Sequence, residues 1–108
     1  MKKTLCAVIL GLTSLSAFSY DGNEIYDWAK EWKSDSGSQF KGGVYAGFVL
    51  GVDAASQETV YCVPRTVINE QMLDVVLDYL KSHPVERTKE ASELIRTALA
   101  AAYPCQKK

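Results

Sequence analysis

The chain has 108 residues, with 12 lysines and arginines against 13 acidic residues and one histidine, for a net charge of −1. That length allows one small domain, and so even a charge balance excludes the basic footprint of a nucleic-acid binder. Three cysteines make disulfide chemistry a question of compartment.

Lys2 and Lys3 precede an apolar block from Leu5 to Leu12, and Ala17-Phe18-Ser19 fits a small-x-small cleavage site, so residues 1–19 are expected to be a secretory signal. The apolar block is well short of the roughly 20 residues a spanning helix requires, so no membrane association is expected after cleavage. Cys6 lies inside that block without a lipobox ahead of it and would leave with the signal. The mature chain, residues 20–108, would carry a net charge of about −3. At that size a core alone is marginally stabilising. Export leaves one even pair, Cys62 and Cys105, in a setting where disulfides persist; closing their loop of roughly 40 residues would stabilise by about 4 kcal/mol. The alternative, a reactive thiol, has no neighbouring sequence signal in its favour.

The first predicted helix is NEIYDWAKEWK, where Ile25, Trp28, Ala29 and Trp32 share a face and Glu24, Asp27 and Glu31 point away. SDSGS at Ser34 to Ser38 breaks it. The second predicted helix contains GGVYAGFVLGVDAA from Gly42 to Ala55. Its glycines Gly43, Gly47 and Gly51 form one row at spacing four, beside a ridge of Phe40, Val44, Phe48 and Val52. Each interior glycine costs about 1 kcal/mol relative to alanine, so a close helix partner is expected, from the same chain or a second copy. The apolar run Val44 to Val52 is too short for a membrane span, and no phosphate-loop spacing is present.

Helical periodicity is lost from Gln57 to Asn69, where Val63 precedes Pro64 and Cys62 pins the segment. Thr59 to Val63 is the one run with strand character, and it is too short to demand a strand. A third helix follows, with Met72, Val75, Val76, Tyr79 and Leu80 at helical spacing, broadened by Leu73 and Leu77. Glu70, Asp74, Asp78 and Lys81 occupy its other side. Ser82-His83-Pro84 ends it. In the fourth helix Ala91, Leu94, Ile95, Ala98, Leu99 and Ala102 line one face, with Thr88 as a candidate N-cap and Pro104 as the stop. The expectation is an all-α domain of four to five helices braced by one disulfide.

Catalytic chemistry finds little material. The single histidine, His83, stands at a helix end, where a terminal hydrogen-bonding role is the common one. No H-E-x-x-H or C-x-x-C spacing suggests a metal site. Asp74 and Asp78 at i, i+4 could pair as acid and base, but on a solvated face such a pair is ordinarily just charge. The reading is a non-enzymatic binding protein with no catalytic, cofactor or metal residues.

G-F-V-L-G-V at Gly47 to Val52, C-V-P at Cys62 to Pro64, Q-M-L-D-V-V-L-D-Y-L-K-S-H-P at Gln71 to Pro84, A-S-E-L-I at Ala91 to Ile95 and A-Y-P-C at Ala102 to Cys105 together resemble the Rap/Tai immunity-protein domain, in order and over nearly the whole mature chain. The resemblance implies an all-helical periplasmic protein that protects a Gram-negative cell by binding a type VI secretion amidase and blocking the cleft with which that toxin cuts peptidoglycan. It also implies a homodimer, a possible use for the glycine row, and a Cys62–Cys105 disulfide. Three departures stand out: Ala29 and Tyr45 replace a second cysteine pair, Ile68 replaces a Thr cap before the third helix, and Asp53 stands one place earlier than the family's acid. Candidate toxin-binding residues are Tyr61, Arg65, Thr66 and Val67 in the pinned loop, then Glu70, Asp74 and Asp78 on the third helix. The rival reading is a small envelope chaperone or structural module.

Overall fold

The computed structural model describes residues 20–106. The predicted signal and Cys6 lie outside the described residues. Four α-helices follow one another: α1 Gly22–Lys33, α2 Gln39–Ser56, α3 Asn69–Ser82 and α4 Ala91–Ala102, with a short 3-10 helix, Pro84–Thr88, between the last two. There is no sheet among the described residues, and Thr59 to Val63 contributes only an isolated bridge between Gln57 and Tyr61.

α1 starts one residue earlier than its apolar pattern because Asp21 and Glu24 form a reciprocal cap. The Asp21 carboxylate accepts the Glu24 N–H at 2.9 Å, and the Glu24 carboxylate accepts the Asp21 N–H at 3.1 Å. Ile25 and Ala29 are fully buried, with Trp28 and Trp32 packed at the edge of the core. The turn into α2 is drawn tight where the Ser38 N–H donates to the Glu31 carboxylate at 2.6 Å, and Ser38 then caps α2 by accepting the Lys41 N–H.

α2 presents a different face to the core than its glycine row suggests. Gly42, Tyr45, Val49, Asp53 and Ser56 are buried, whereas Phe40 is 80% exposed and Val44, Phe48 and Val52 are only partly covered. The close approach of α1 falls at Gly42, where a Cβ would lie 2.9 Å from the Trp32 Cα. At Gly43, Gly47 and Gly51 a Cβ would meet nothing within 4 Å. Among the described residues no helix of the same chain therefore packs against that row. The helix is apolar nearly all round, so periodicity could not select the inward side.

Ala29 and Tyr45, which stand where the resemblance places a second cysteine pair, are both fully buried. The Tyr45 hydroxyl donates to the Leu73 carbonyl at 2.6 Å, tying α2 to α3 within the core. Packing and one buried hydrogen bond thus join the helices there.

Ile68 occupies the N-cap position of α3. It offers no side-chain acceptor, and Gln71 supplies half of a capping box by accepting the Ile68 N–H at 2.9 Å. Met72, Leu73, Val76 and Leu80 are buried; Val75, Leu77 and Tyr79 are half-covered. At the far end the His83 Nδ1–H donates to the Tyr79 carbonyl at 2.8 Å and the two rings stack at 3.9 Å. Arg87 Nε donates to the Leu80 carbonyl at 2.8 Å, satisfying another terminal acceptor of α3.

Thr88 ends the 3-10 helix and is not the cap of α4, which begins after Glu90. The start of α4 is fixed instead by backbone: Gly22 N–H donates to Lys89 O at 2.9 Å, and Ala91 N–H donates to Tyr20 O at 2.7 Å. These bonds clasp the chain's first described residues against the last helix. Ala91, Leu94, Ile95, Ala98 and Leu99 are buried, while Ala102, one turn further, is exposed. The core therefore stops short of the helix end, and the disulfide takes over there.

Candidate functional site

Residues 57–68 join α2 to α3 and form a loop tethered at several points. The tether begins at Asp53, in the last turn of α2 and only 8% exposed. Its carboxylate accepts the Tyr61 hydroxyl at 2.8 Å and the Gln57 side-chain amide at 3.2 Å. A buried charge is costly unless hydrogen-bonded, so these donors hold residues 57–61 against the helix end. Burial first, and then the bond to Asp53, pushes the Tyr61 phenol well above its ordinary titration range.

Backbone closes the same turn. Glu58 takes a positive φ of 74°, and its N–H donates to the Tyr61 carbonyl at 2.6 Å. Thr59 and Val60 N–H groups both donate to the Ser56 carbonyl. A left-handed conformation at a non-glycine residue persists only when its surroundings over-determine it, as here.

The second anchor is Cys62. Its N–H donates to the Tyr103 carbonyl at 2.9 Å, and its sulfur is bonded to that of Cys105, with a Cα separation of 4.8 Å. Beyond it, Val63 and Val67 lean on the core, and Val67 N–H donates to the Pro64 carbonyl at 3.1 Å. The turn Pro64–Val67 thereby raises Pro64, Arg65 and Thr66 into solvent. A cleft of about 470 Å³ lies beneath it, bordered by Asp53, Glu58, Arg65, Asn69 and Met72.

The predicted contact residues divide on this geometry. Arg65 and Thr66 are exposed on the turn, and Glu70 is exposed on the first turn of α3 beside it. Tyr61 corrects the expectation: it is fully buried, and an aromatic fixed inside cannot meet a partner directly. Val67 is half-buried. Asp74 is engaged by Lys33 at 2.8 Å, which raises the lysine's pKa through that bond. Asp78 is exposed but lies two helical turns beyond Glu70, on the order of 12 Å along the axis, so it is remote from the loop. Two exposed apolar residues of the same loop were missed as candidate contacts in the sequence: Val60, 48% exposed, and Ile68, 58% exposed. The available signal was that each is β-branched and apolar in a stretch without helical periodicity.

Among the described residues no group of three or more His, Cys, Asp or Glu side chains could hold a metal ion, and no helix is long and apolar enough to cross a membrane. His83 is exposed and engaged with Tyr79 and Ser82 at the end of α3.

The sequence profile described as Rap1a immunity proteins matches residues 21–105. The chain belongs to the Rap1a immunity protein family. The Rap/Tai resemblance carried by the separate motifs is thus extended across α1 to Cys105. No curated protein matches the chain. Rap1a membership points to an immunity protein directed against a secreted effector, and an all-helical, disulfide-braced framework with one rigidly displayed loop suits that task. A second surface of this Rap1a protein is the outer side of α2, where Gly43, Gly47, Gly51 and Ala54 are exposed alongside Phe40.

Proposed function

We propose that this Rap1a protein is a periplasmic inhibitor of a type VI secretion peptidoglycan amidase, exported by its N-terminal signal and acting by steric occlusion. The Pro64–Thr66 turn enters the toxin's active-site cleft, with Arg65 as a central anchor and Val60 and Ile68 excluding water around it. One observation carries this reading: the turn is exposed while the approach to it is locked twice, by the Tyr61–Asp53 bond and the Cys62–Cys105 bridge, and its far side passes through the half-buried Val67 directly into α3. A loop ordered before binding loses little conformational entropy on docking, and more of its contact energy becomes affinity.

Self-association through the outer face of α2 belongs to the same reading. Interior glycines lower helix stability by about 1 kcal/mol each, and a second copy approaching the Gly43–Gly47–Gly51 row would offset that through close backbone packing. The framework adds no chemistry of its own to the toxin's; it fills space.

The test uses residues 20–108 with the disulfide formed, mixed with a panel of peptidoglycan amidases, following complex formation and hydrolysis. Stoichiometric inhibition of one member is expected, and Arg65→Glu should abolish it without moving the melting temperature. Absence of inhibition across the panel, or an inhibitor indifferent to Arg65→Glu and to truncation of Val60 and Ile68, would overturn the proposal. Sedimentation of the free protein reads the dimer directly.

A further inference from the structure

Away from the loop, α1 and α3 run antiparallel, with Lys33 opposite Asp74 and Tyr26 opposite the end of α3. Between them lies a groove of about 390 Å³, near the lower bound of volumes that hold a ligand. Its floor is apolar, built from the half-buried Tyr26 and Leu77, and its rim carries Lys30, Lys33 and Lys81 against the carboxylate of Asp78, with Asp74 beside the rim and bonded to Lys33. Of these lysines only Lys33 has an acidic partner within ion-pair distance among the described residues. Lys30 is placed over the Tyr26 ring, its ammonium 4.6 Å from the centroid, and the Arg87 guanidinium lies 4.1 Å from the same centroid. Arg87 is held there by its bond to the Leu80 carbonyl, so this cation is fixed.

Such a cluster needs a reason in a chain whose net charge is −1. Lysines in the last turns of α1 and α3 suit the helix dipoles, which explains their presence on the helices but not their convergence on one recess. Cations sharing a concave, partly apolar site repel one another, and the field they focus into it is relieved by an anion. The recess is a few side chains in size, which fits a segment entering it better than a flat lipid surface lying across it. We infer that the α1–α3 groove is a docking site for an acidic segment of a protein partner, one carrying two or more carboxylates around an apolar side chain that rests on Tyr26 and Leu77. This inference is independent of the loop and of any amidase.

The test probe is the pentapeptide acetyl-Asp-Glu-Phe-Glu-Asp-amide, titrated into residues 20–108 at low salt and followed by amide chemical shifts. Saturable shifts at Tyr26, Lys30, Leu77 and Lys81 are expected, with none at Arg65 or Thr66. Adding salt from about 50 mM to 500 mM should weaken the binding, because exposed ion pairs are screened. The double substitution Lys30→Glu with Lys81→Glu should weaken it about tenfold, as for two reversed exposed ion pairs. Lys41→Glu, on an exposed position of α2 outside the groove's lining, makes half the change in net charge of the double variant and should leave the affinity unaltered. Melting curves establish that each variant is folded. Equal binding of the Asn/Gln version of the peptide, shifts confined to the loop, or association only with phosphatidylglycerol vesicles would each overturn the inference.

Discussion

Replacing Tyr61 by phenylalanine isolates the polar anchor of the loop. The ring is fully buried and phenylalanine fills the same space, so little cavity energy enters. What is lost is the 2.8 Å bond from the hydroxyl to the Asp53 carboxylate, which is 8% exposed and keeps only the longer 3.2 Å bond from Gln57. Hydrogen bonds to charged groups are worth about 1.5–3 kcal/mol, so a loss near 2 kcal/mol is expected. For a domain of this size that corresponds to a fall in melting temperature of roughly 8–16 °C, measured by thermal circular dichroism with the disulfide intact. The cost should shrink markedly in an Asp53→Asn background, giving a coupling energy of about 1 kcal/mol or more in a double-mutant cycle. Amide exchange at Glu58, whose N–H donates to the Tyr61 carbonyl, should quicken in the variant. A loss under about 0.5 kcal/mol, or an equal loss in both backgrounds, would refute the claim that this bond holds the loop.

Reducing the Cys62–Cys105 bridge, whose partners are 43 residues apart, should cost about 4 kcal/mol by the loop-closure argument and lower the melting temperature by tens of degrees; an unchanged curve under reductant would contradict it. Tyr45 and Tyr61 are both pushed above the ordinary phenol value by burial, so folding favours their neutral forms. Their contribution is complete below about pH 10 and is lost as pH rises beyond it, at about 1.4 kcal/mol per unit for each ring. Phenolate absorbance should therefore show its final step together with alkaline unfolding, and Tyr61→Phe should flatten the decline. Gly42→Ala, whose Cβ would press on the Trp32 backbone, should destabilise by about 1–3 kcal/mol in urea titrations. Gly47→Ala, with open space around it, should stabilise the monomer by up to about 1 kcal/mol, and the opposite signs of the two test which glycine is packed.

By itself the sequence determined the helical class, four helices in their order, and the residues that fill α1, α3 and α4, because one-sided periodicity and breakers such as Ser34–Ser38 and Pro84 are local properties of the chain. With Cys6 assigned to the expected signal, it also left Cys62 and Cys105 as the pair that the structure joins. Tertiary structure alone decided which side of α2 turns inward: that helix is apolar nearly all round, and the choice rests on Gly42 meeting Trp32, a contact between helices that no spacing within α2 encodes. The same holds for the candidate site. Arg65 and Thr66 were legible as loop residues, but Tyr61 was misread as a contact because its depth depends on Asp53, eight residues away on a helix end, accepting its hydroxyl. Burial is a property of what surrounds a residue, and for the loop and for α2 those surroundings are assembled only when distant parts of the chain meet.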